Sequence, residues 1–201
     1  MKKEKKTPRH IKAKENRERI LHSAAEIIGE LGYLNATVSR ITERAGLAQG
    51  TFYIYFESQQ DLFDQILPHK GKDAMRFIAQ RVRSCKDPFE MERQGVLAFQ
   101  EYLRLNPWFF RVLNEARVVS PKAHAVHMNN LVNGFARALL RWKQQGFLQR
   151  YDDSELRTLS KILIGVRDYL FISMDGEFDD YFEIMKESDL DVYMKIVRNG
   201  L

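Results

Sequence analysis

The sequence contains a single cysteine and no long apolar run. Because Cys85 stands alone, the chain forms no intrachain disulfide, and no second cysteine beside it indicates a metal site. We interpret it as a packing or surface thiol. No segment approaches the roughly 20 apolar residues of a membrane helix, and no apolar stretch follows the lysine-rich N-terminus as in a signal peptide. The sequence therefore predicts a folded cytoplasmic protein with no membrane partner.

Motifs of enzyme chemistry are lacking as well. The chain has no HExxH sequence, phosphate-binding loop or nucleophile motif, and its polar residues Glu115, Lys161 and Asp168 are scattered along it. His124 and His127 stand three residues apart on one predicted helix, which leaves metal binding or titration open. We predict that the chain is not an enzyme and that it holds no cofactor and no metal.

Positive charge is concentrated at one end of the chain. Residues 1–22 hold nine lysines or arginines against three glutamates, whereas the whole chain has a formal net charge of +5. A basic tail before a near-neutral body is typical of proteins whose N-terminal end meets phosphate, and it also fits a solvated tail that keeps the protein soluble. We predict a flexible basic arm over residues 1–15.

Apolar residues recur at helical rather than alternating spacing along almost all of the remaining chain. A first helix ends at Gly32, and short helices over about 38–45 and 49–56 follow, with Thr37 as N-cap of the first and a tight turn at Gly46 between them. This succession predicts a helix-turn-helix.

Longer helices are predicted beyond residue 58. Pro68 is expected to kink or break the fourth helix near its end, and Asp153 to cap a later helix that reaches about Met174. The sequence thus predicts an all-α protein of about nine helices.

From Arg17 to Phe63 the sequence reads RERILHSAAEIIGELGYLNATVSRITERAGLAQGTFYIYFESQQDLF, and here it resembles the tetracycline-repressor (TetR) family of bacterial regulators. The matched positions include Ala24, Gly32, Tyr33, Thr37, Val38, Ile41, Ala45, Gly46, Leu47, Gly50, Thr51, Tyr53, Tyr55, Phe56 and Leu62. The resemblance implies a three-helix DNA-binding domain over 16–63 and a helical ligand-binding and dimerisation domain over 64–201.

Eight residues of the predicted helix-turn-helix are candidate DNA contacts. A helix fits the major groove, and its first turn presents side chains to base edges. Gln49 is able to pair with an adenine, Thr51 to touch a thymine methyl or a phosphate, and Gly50 to admit close backbone approach. The other five are candidate contacts to the phosphate backbone: Thr37, Ser39, Arg40, Tyr53 and Tyr55. The two tyrosines are included by resemblance to the family, and packing within the domain is the alternative role for these two.

Three residues depart from the family pattern in ways that weaken the hold on phosphate. Ala48 stands where the family often has a capping serine, and Glu57 and Gln59 replace basic residues that some members carry. We therefore hypothesise that residues 2–14 act as an arm in or near the minor groove.

The C-terminal two-thirds is expected to bind a largely apolar small-molecule effector and to form a homodimer. An aromatic cluster with a few polar groups suits an apolar cavity, although aromatics at helical spacing also fit a plain core. The candidate effector contacts are Phe99, Tyr102, Trp108, Phe109, Arg111, Glu115, His127 and Tyr169. The candidate dimer contacts, on a helix with a broad apolar surface and on the last helix, are Leu159, Ile162, Leu163, Gly165, Val166, Leu170, Tyr193 and Val197.

The resemblance implies a repressor that binds a palindromic operator as a homodimer and that an effector releases. An activator remains open, because nothing in the residues fixes the sign of regulation. A module whose helix-turn-helix binds protein or RNA is a further alternative.

Overall fold

The structure is a computed structural model that describes residues 8–171 and 185–200. Within these ranges it contains α-helices and short 3-10 helices and no strand, which confirms the prediction of an all-α protein of about nine helices. The helices are α1 (Pro8–Leu31), α2 (Val38–Arg44), α3 (Gln49–Phe52), α4 (Gln59–Arg81), α5 (Pro88–Leu105), α6 (Phe109–Val119), α7 (Pro121–Gln144), α8 (Asp153–Leu170) and α9 (Glu187–Gly200), with 3-10 helices at Tyr33–Asn35 and Val82–Ser84.

Several helix boundaries differ from those predicted. Helix α1 already begins at Pro8, so the second half of the predicted arm is helical, while residues 1–7 lie outside the described residues. Helix α3 ends at Phe52 and continues as a turn rather than as helix to residue 56. The predicted extension of α8 to Met174 also lies outside the described residues.

The prediction that Pro68 lies near the end of its helix was wrong, because α4 continues past it to Arg81. Proline removes one backbone hydrogen bond, here to the carbonyl of Asp64, but tertiary packing of the apolar face supplies most of a helix's stability. Ile66 and Leu67 are fully buried on one side of Pro68, and Ala74 is buried on the other. This packing carries the helix across the proline.

The cap of α8 is Asp152, not Asp153 as predicted. Its carboxylate accepts hydrogen bonds from the backbone N–H groups of Ser154 and Glu155, both at 2.8 Å, and Glu155 accepts the Asp152 N–H at 2.7 Å. A capping box requires a glutamate or glutamine three residues after the cap, and only Asp152 has one.

The described residues divide into two compact units. The first falls in the ranges Met1–Lys70 and Asn106–Ala125, and the second in Gly71–Leu105 and Val126–Leu201. Helix α6 therefore belongs with the helix-turn-helix, although it follows α4 and α5 in sequence.

Each unit has its own apolar core. In the first, α1 and the short helices that follow it bury Ile20, Leu21, Ala24, Ile28, Ile41, Phe52 and Phe56, together with Phe109 and Val112 of α6. In the second, α5, α7, α8 and α9 bury Val96, Leu103, Leu139, Leu156, Leu163, Leu190 and Tyr193. No helix in the described part of the chain combines the length and apolar character required to cross a membrane.

Candidate nucleic-acid interface

The helix-turn-helix begins at Thr37, which caps α2. Thr37 has extended backbone, and its hydroxyl oxygen accepts the backbone N–H of Arg40 at 3.4 Å, as the sequence predicts. The turn to α3 then passes through Gly46 in the left-handed region, at φ 62°, a conformation that glycine adopts at the least cost. The Leu47 N–H donates back to the Thr42 carbonyl at 2.9 Å and closes the turn.

Arg19 of α1 holds this turn from the outside. Its guanidinium donates to the carbonyl oxygen of Ala45 and, at 3.5 Å, to that of Gly46. These carbonyls follow the end of α2, where the helix dipole favours a positive charge. Sequence reasoning counted Arg19 only as part of the basic tail, since nothing local links it to residues 26 positions further on.

The exposed residues of the recognition element rest on a buried apolar support. Gln49 and Gly50 are exposed, Thr51 is half-buried, and the Tyr53 side chain is 61% exposed. Phe52, between them, is fully buried and its ring lies 5.4 Å from that of Phe56. Polar side chains therefore project from a rigid platform into solvent.

Tyr55 differs from Tyr53 in being half-buried and held from α1. The Asn16 side-chain amide donates to its hydroxyl oxygen at 3.5 Å. Sequence reasoning missed Asn16, which fixes where the phenol oxygen lies and leaves its proton free to be donated.

The residues at the start of α2 are exposed and tied to the preceding turn. Ser39 and Arg40 both face solvent, and the Arg40 guanidinium donates to the Asn35 carbonyl at 3.1 Å. Asn35 in turn donates through its side chain to the Leu31 carbonyl at 2.9 Å. Arg40 thus combines a structural contact with an exposed charge.

The surroundings of α3 carry the sequence departures predicted to weaken phosphate binding. Ala48 occupies the N-cap position of α3 and provides no side-chain cap, and Glu57 is exposed. Lys12 and Lys14 are exposed on the N-terminal part of α1. The remaining lysines of the predicted arm, up to Lys6, lie outside the described residues.

Comparison with known proteins shows what the helix-turn-helix is similar to. Residues 20–66 match the family model described as bacterial regulatory proteins, tetR family. The helix-turn-helix of this chain is thus similar to that of the tetR family. It is 49% identical over 70 residues to YvdT, an uncharacterized HTH-type transcriptional regulator of Bacillus subtilis (strain 168), which covers 35% of this chain and 36% of that protein.

A second curated relative is similar over part of its length. The fatty acid metabolism regulator protein of Bacillus subtilis is 33% identical over 86 residues, which are 43% of each chain. The chain thus aligns with less than half the length of these curated relatives.

Solved structures share the fold over nearly the whole chain. FadR from Bacillus subtilis in complex with stearoyl-CoA has a TM-score of 0.74 at 18% identity, covering 92% of this chain and 98% of that one. The fatty acid degradation regulator FadR from Bacillus halodurans has a TM-score of 0.71 at 22% identity, covering 96% of each chain. This likeness shows a shared fold.

The eight candidate effector contacts fall into both units. Trp108, Phe109, Arg111 and Glu115 lie in the first unit, where Trp108 and Phe109 are buried in the core. Phe99, Tyr102, His127 and Tyr169 lie in the second unit. Four of the candidates thus belong to each unit.

Within the second unit the candidates have different surroundings. The Tyr102 ring is buried 5.6 Å from that of Phe77, and burial raises the pKa of its hydroxyl. The buried His127 ring packs against Gly71, where even a methyl group would overlap it. An open groove of about 200 Å³ between α7 and α8 is lined by none of these residues, but by Asn133, Ala136, Arg137, Leu140, Asp153 and Leu156.

The two histidines predicted as possible ligands do not form a metal cluster. Burial, with the nearby Arg117, lowers the pKa of His124, and no group of three or more histidine, cysteine or acidic residues within the described ranges is arranged to hold a metal ion.

The candidate dimer contacts divide into a buried and an exposed set. Leu159, Leu163, Tyr193 and Val197 are buried within the protomer, and Leu170 is half-buried, while Ile162, Gly165 and Val166 are exposed. Three further apolar or aromatic side chains of the same two helices are exposed: Tyr169, Val192 and Ile196.

Proposed function

We propose that this chain is a transcriptional repressor that binds a palindromic operator as a homodimer and that a small molecule releases. The observation that carries the proposal is the exposed edge of the helix-turn-helix, where Gln49, Gly50 and Tyr53 project from a fully buried apolar support. Polar, uncharged side chains on a rigid short helix suit the donor and acceptor pattern of the major groove.

The contacts divide between reading and anchoring. Gln49 and Thr51 read bases, because an amide pairs with adenine N6 and N7 and a threonine methyl packs on a thymine methyl. Thr37, Ser39, Arg40, Tyr53 and Tyr55 anchor the element to phosphates on either side. Anchoring contacts fix the register of the short α3, which offers few side chains of its own.

The homodimer rests on the exposed apolar residues of the last two helices. Ile162, Val166 and Tyr169 follow one another at spacings of four and three on α8, and Val192 and Ile196 are four apart on α9. Gly165, exposed between them, lets a second backbone approach closely. One recognition helix reads few base pairs, whereas two, about 34 to 36 Å apart, read a palindrome on one face of DNA.

We further propose that the effector is a largely apolar molecule bound in the second unit, and that long-chain acyl thioesters are the first class to test. The support is the fold shared with a FadR structure that contains stearoyl-CoA, together with the aromatic residues Phe99, Tyr102 and Phe171 of this unit. Stearoyl-CoA is expected to weaken operator binding, and coenzyme A alone is the matched control. Equal operator affinity with both ligands contradicts this effector class.

The experiment that tests the function is selection of operator DNA from a random double-stranded pool by the full chain. A palindromic consensus is expected, with half-sites about 10 base pairs apart from centre to centre or a multiple of this distance. Binding without any sequence preference, at low and at high salt, would overturn the proposal and favour a general nucleic-acid or protein-binding module.

A further inference from the structure

Two charged side chains of α6 form hydrogen bonds with the backbone at the end of α1. Glu115 accepts the backbone N–H of Tyr33 at 2.8 Å, and Arg111 donates to the carbonyls of Gly29 and Glu30 at 3.3 and 3.2 Å. The two side chains also pair with each other, at 2.7 Å between Arg111 Nε and Glu115 Oε1. Together they satisfy backbone groups on both sides of Gly32.

Gly32 is the residue at which the chain leaves α1. Its φ is 79°, and a Cβ on it would lie 3.0 Å from the Arg111 guanidinium and 3.2 Å from the Glu115 carboxylate. Only four residues then separate Gly32 from Thr37, the cap of α2. The position of this exit therefore determines where α2 begins.

Other ties of this connection are of two kinds: the Tyr33 hydroxyl donates to the Val112 carbonyl of α6 at 3.4 Å, and two more hydrogen bonds are local. Asn35 donates to the Leu31 carbonyl and Arg40 donates to the Asn35 carbonyl, so both act within a few residues. The Arg111 and Glu115 contacts come from more than 80 residues away. With the Tyr33 bond to Val112, they join the connection to a separate helix, and they are the charged contacts among those to that helix.

We propose that Arg111 and Glu115 are positioning residues for operator binding, which orient the exit of α1 and through it Thr37 and the recognition element. This inference rests on the proposed function. It also accounts for their membership of the first unit, together with the helix-turn-helix.

A purely structural role predicts a different result, because exposed ion pairs contribute little to stability. The chain offers a matched pair for comparison. Arg81 and Glu101 pair at 2.8 Å in the second unit, with side chains 41% and 46% exposed, against 42% and 33% for Arg111 and Glu115. Both pairs are about equally exposed, but Arg111 and Glu115 belong to the unit that contains the helix-turn-helix, whereas Arg81 and Glu101 belong to the other unit.

The test measures affinity for operator and for random DNA in Glu115→Ala, Arg111→Ala and the double variant, each verified to be folded and dimeric. Loss of a hydrogen bond to a charged group is expected to weaken operator affinity by about tenfold in each single variant. The fold-loss of operator affinity in the double variant should be smaller than the product of the two single losses, because both residues act on one connection. Glu115→Gln keeps an acceptor for the Tyr33 N–H and should restore part of the loss.

Charge makes the Glu115 result decisive. Glu115→Ala raises the net charge by one, so electrostatics alone predicts tighter binding to any DNA. If Glu115 is a positioning residue, Glu115→Ala should bind operator more weakly, while its affinity for random DNA should be unchanged or higher. The hydrogen of the Tyr33 amide should also exchange faster in this variant. Glu101→Ala, the control with the same charge change, should bind operator at least as tightly as the unaltered chain.

The two proposals fail in different ways. If the unaltered chain selects no operator, the proposed function is wrong. If it selects an operator that Glu115→Ala and Arg111→Ala bind as tightly as the unaltered chain does, only the positioning role is overturned.

Discussion

The two compact units differ in how well the sequence pattern predicts which of their residues are exposed. In the first unit, Gln49, Gly50 and Tyr53 are predicted DNA contacts and are all exposed. In the second, half of the predicted dimer contacts are core residues, Leu159 and Leu163 among them. The DNA-binding element is short and bounded by caps and a glycine turn, so its outward residues follow from local geometry. A long helix with a broad apolar surface carries two rows of apolar residues along its length. Periodicity does not indicate which of the two rows packs inside the protomer.

The largest effect is expected from placing charged side chains among the exposed apolar residues of α8. Ile162→Glu with Val166→Glu should separate the homodimer and weaken operator binding by about 100-fold or more, because linked half-site binding contributes this much avidity. Sedimentation with an operator titration measures both.

The buried row supplies the contrast. Leu163→Ala should lower the free energy of unfolding by about 2–5 kcal/mol through the cavity it leaves. A monomer produced by Leu163→Ala but not by the double glutamate variant would reverse the assignment of the two rows.

Removing the two tyrosine hydroxyls tests the predicted anchors of the first unit. Tyr53→Phe and Tyr55→Phe should each weaken operator affinity by about tenfold, because the variant cannot donate a hydrogen bond to a charged phosphate. Melting temperature and dimerisation should not change with Tyr53→Phe, since that side chain is exposed. Undiminished binding by the double variant contradicts the assigned contacts.

The turn between α2 and α3 is tested by Gly46→Ala. An alanine in the left-handed region costs about 1–2 kcal/mol, and its Cβ would lie 3.0 Å from the Arg19 guanidinium. Denaturant unfolding should show this loss of stability. Gly50→Ala is the control, because nothing lies within 4 Å of a Cβ there and its φ needs no glycine.

The smallest effect concerns the basic N-terminal part of the chain. Lys12→Ala with Lys14→Ala should leave the fold intact and reduce the salt dependence of operator binding, by about 0.9 in log-log slope for each phosphate that the variant no longer neutralises. Deletion of residues 2–7 tests the rest of the predicted arm without cutting α1. Unchanged slopes in both experiments would exclude a phosphate-binding role for this segment.

Sequence pattern predicts the structural features that depend only on residue type and spacing within a short segment. The Thr37 cap and the left-handed Gly46 follow from residue type and spacing, and the capping-box rule identifies Asp152 once Glu155 is taken into account. Arg111 and Glu115 could not be placed in this way. Polar residues beside aromatics fit an effector cavity as well as they fit the end of another helix, and only the tertiary fold distinguishes the two.

Proline in α4 illustrates the same limit. Residue type predicts a kink or break at Pro68, whereas helix stability depends on the burial of the apolar residues around it, such as Leu67 and Ala74. Whether burial outweighs one missing hydrogen bond is a property of the packed unit rather than of the local sequence.

The contact between Gly29 and Trp108 has a consequence for building hybrid regulators. A methyl group on Gly29 would overlap the backbone and Cβ of Trp108, so α1 and α6 fit each other at this point without room for any side chain. Grafting residues 16–63 alone onto a relative would separate these complementary surfaces. A chimera that exchanges operator specificity should therefore carry residues 106–125 as part of the same module, although they come from the middle of the gene.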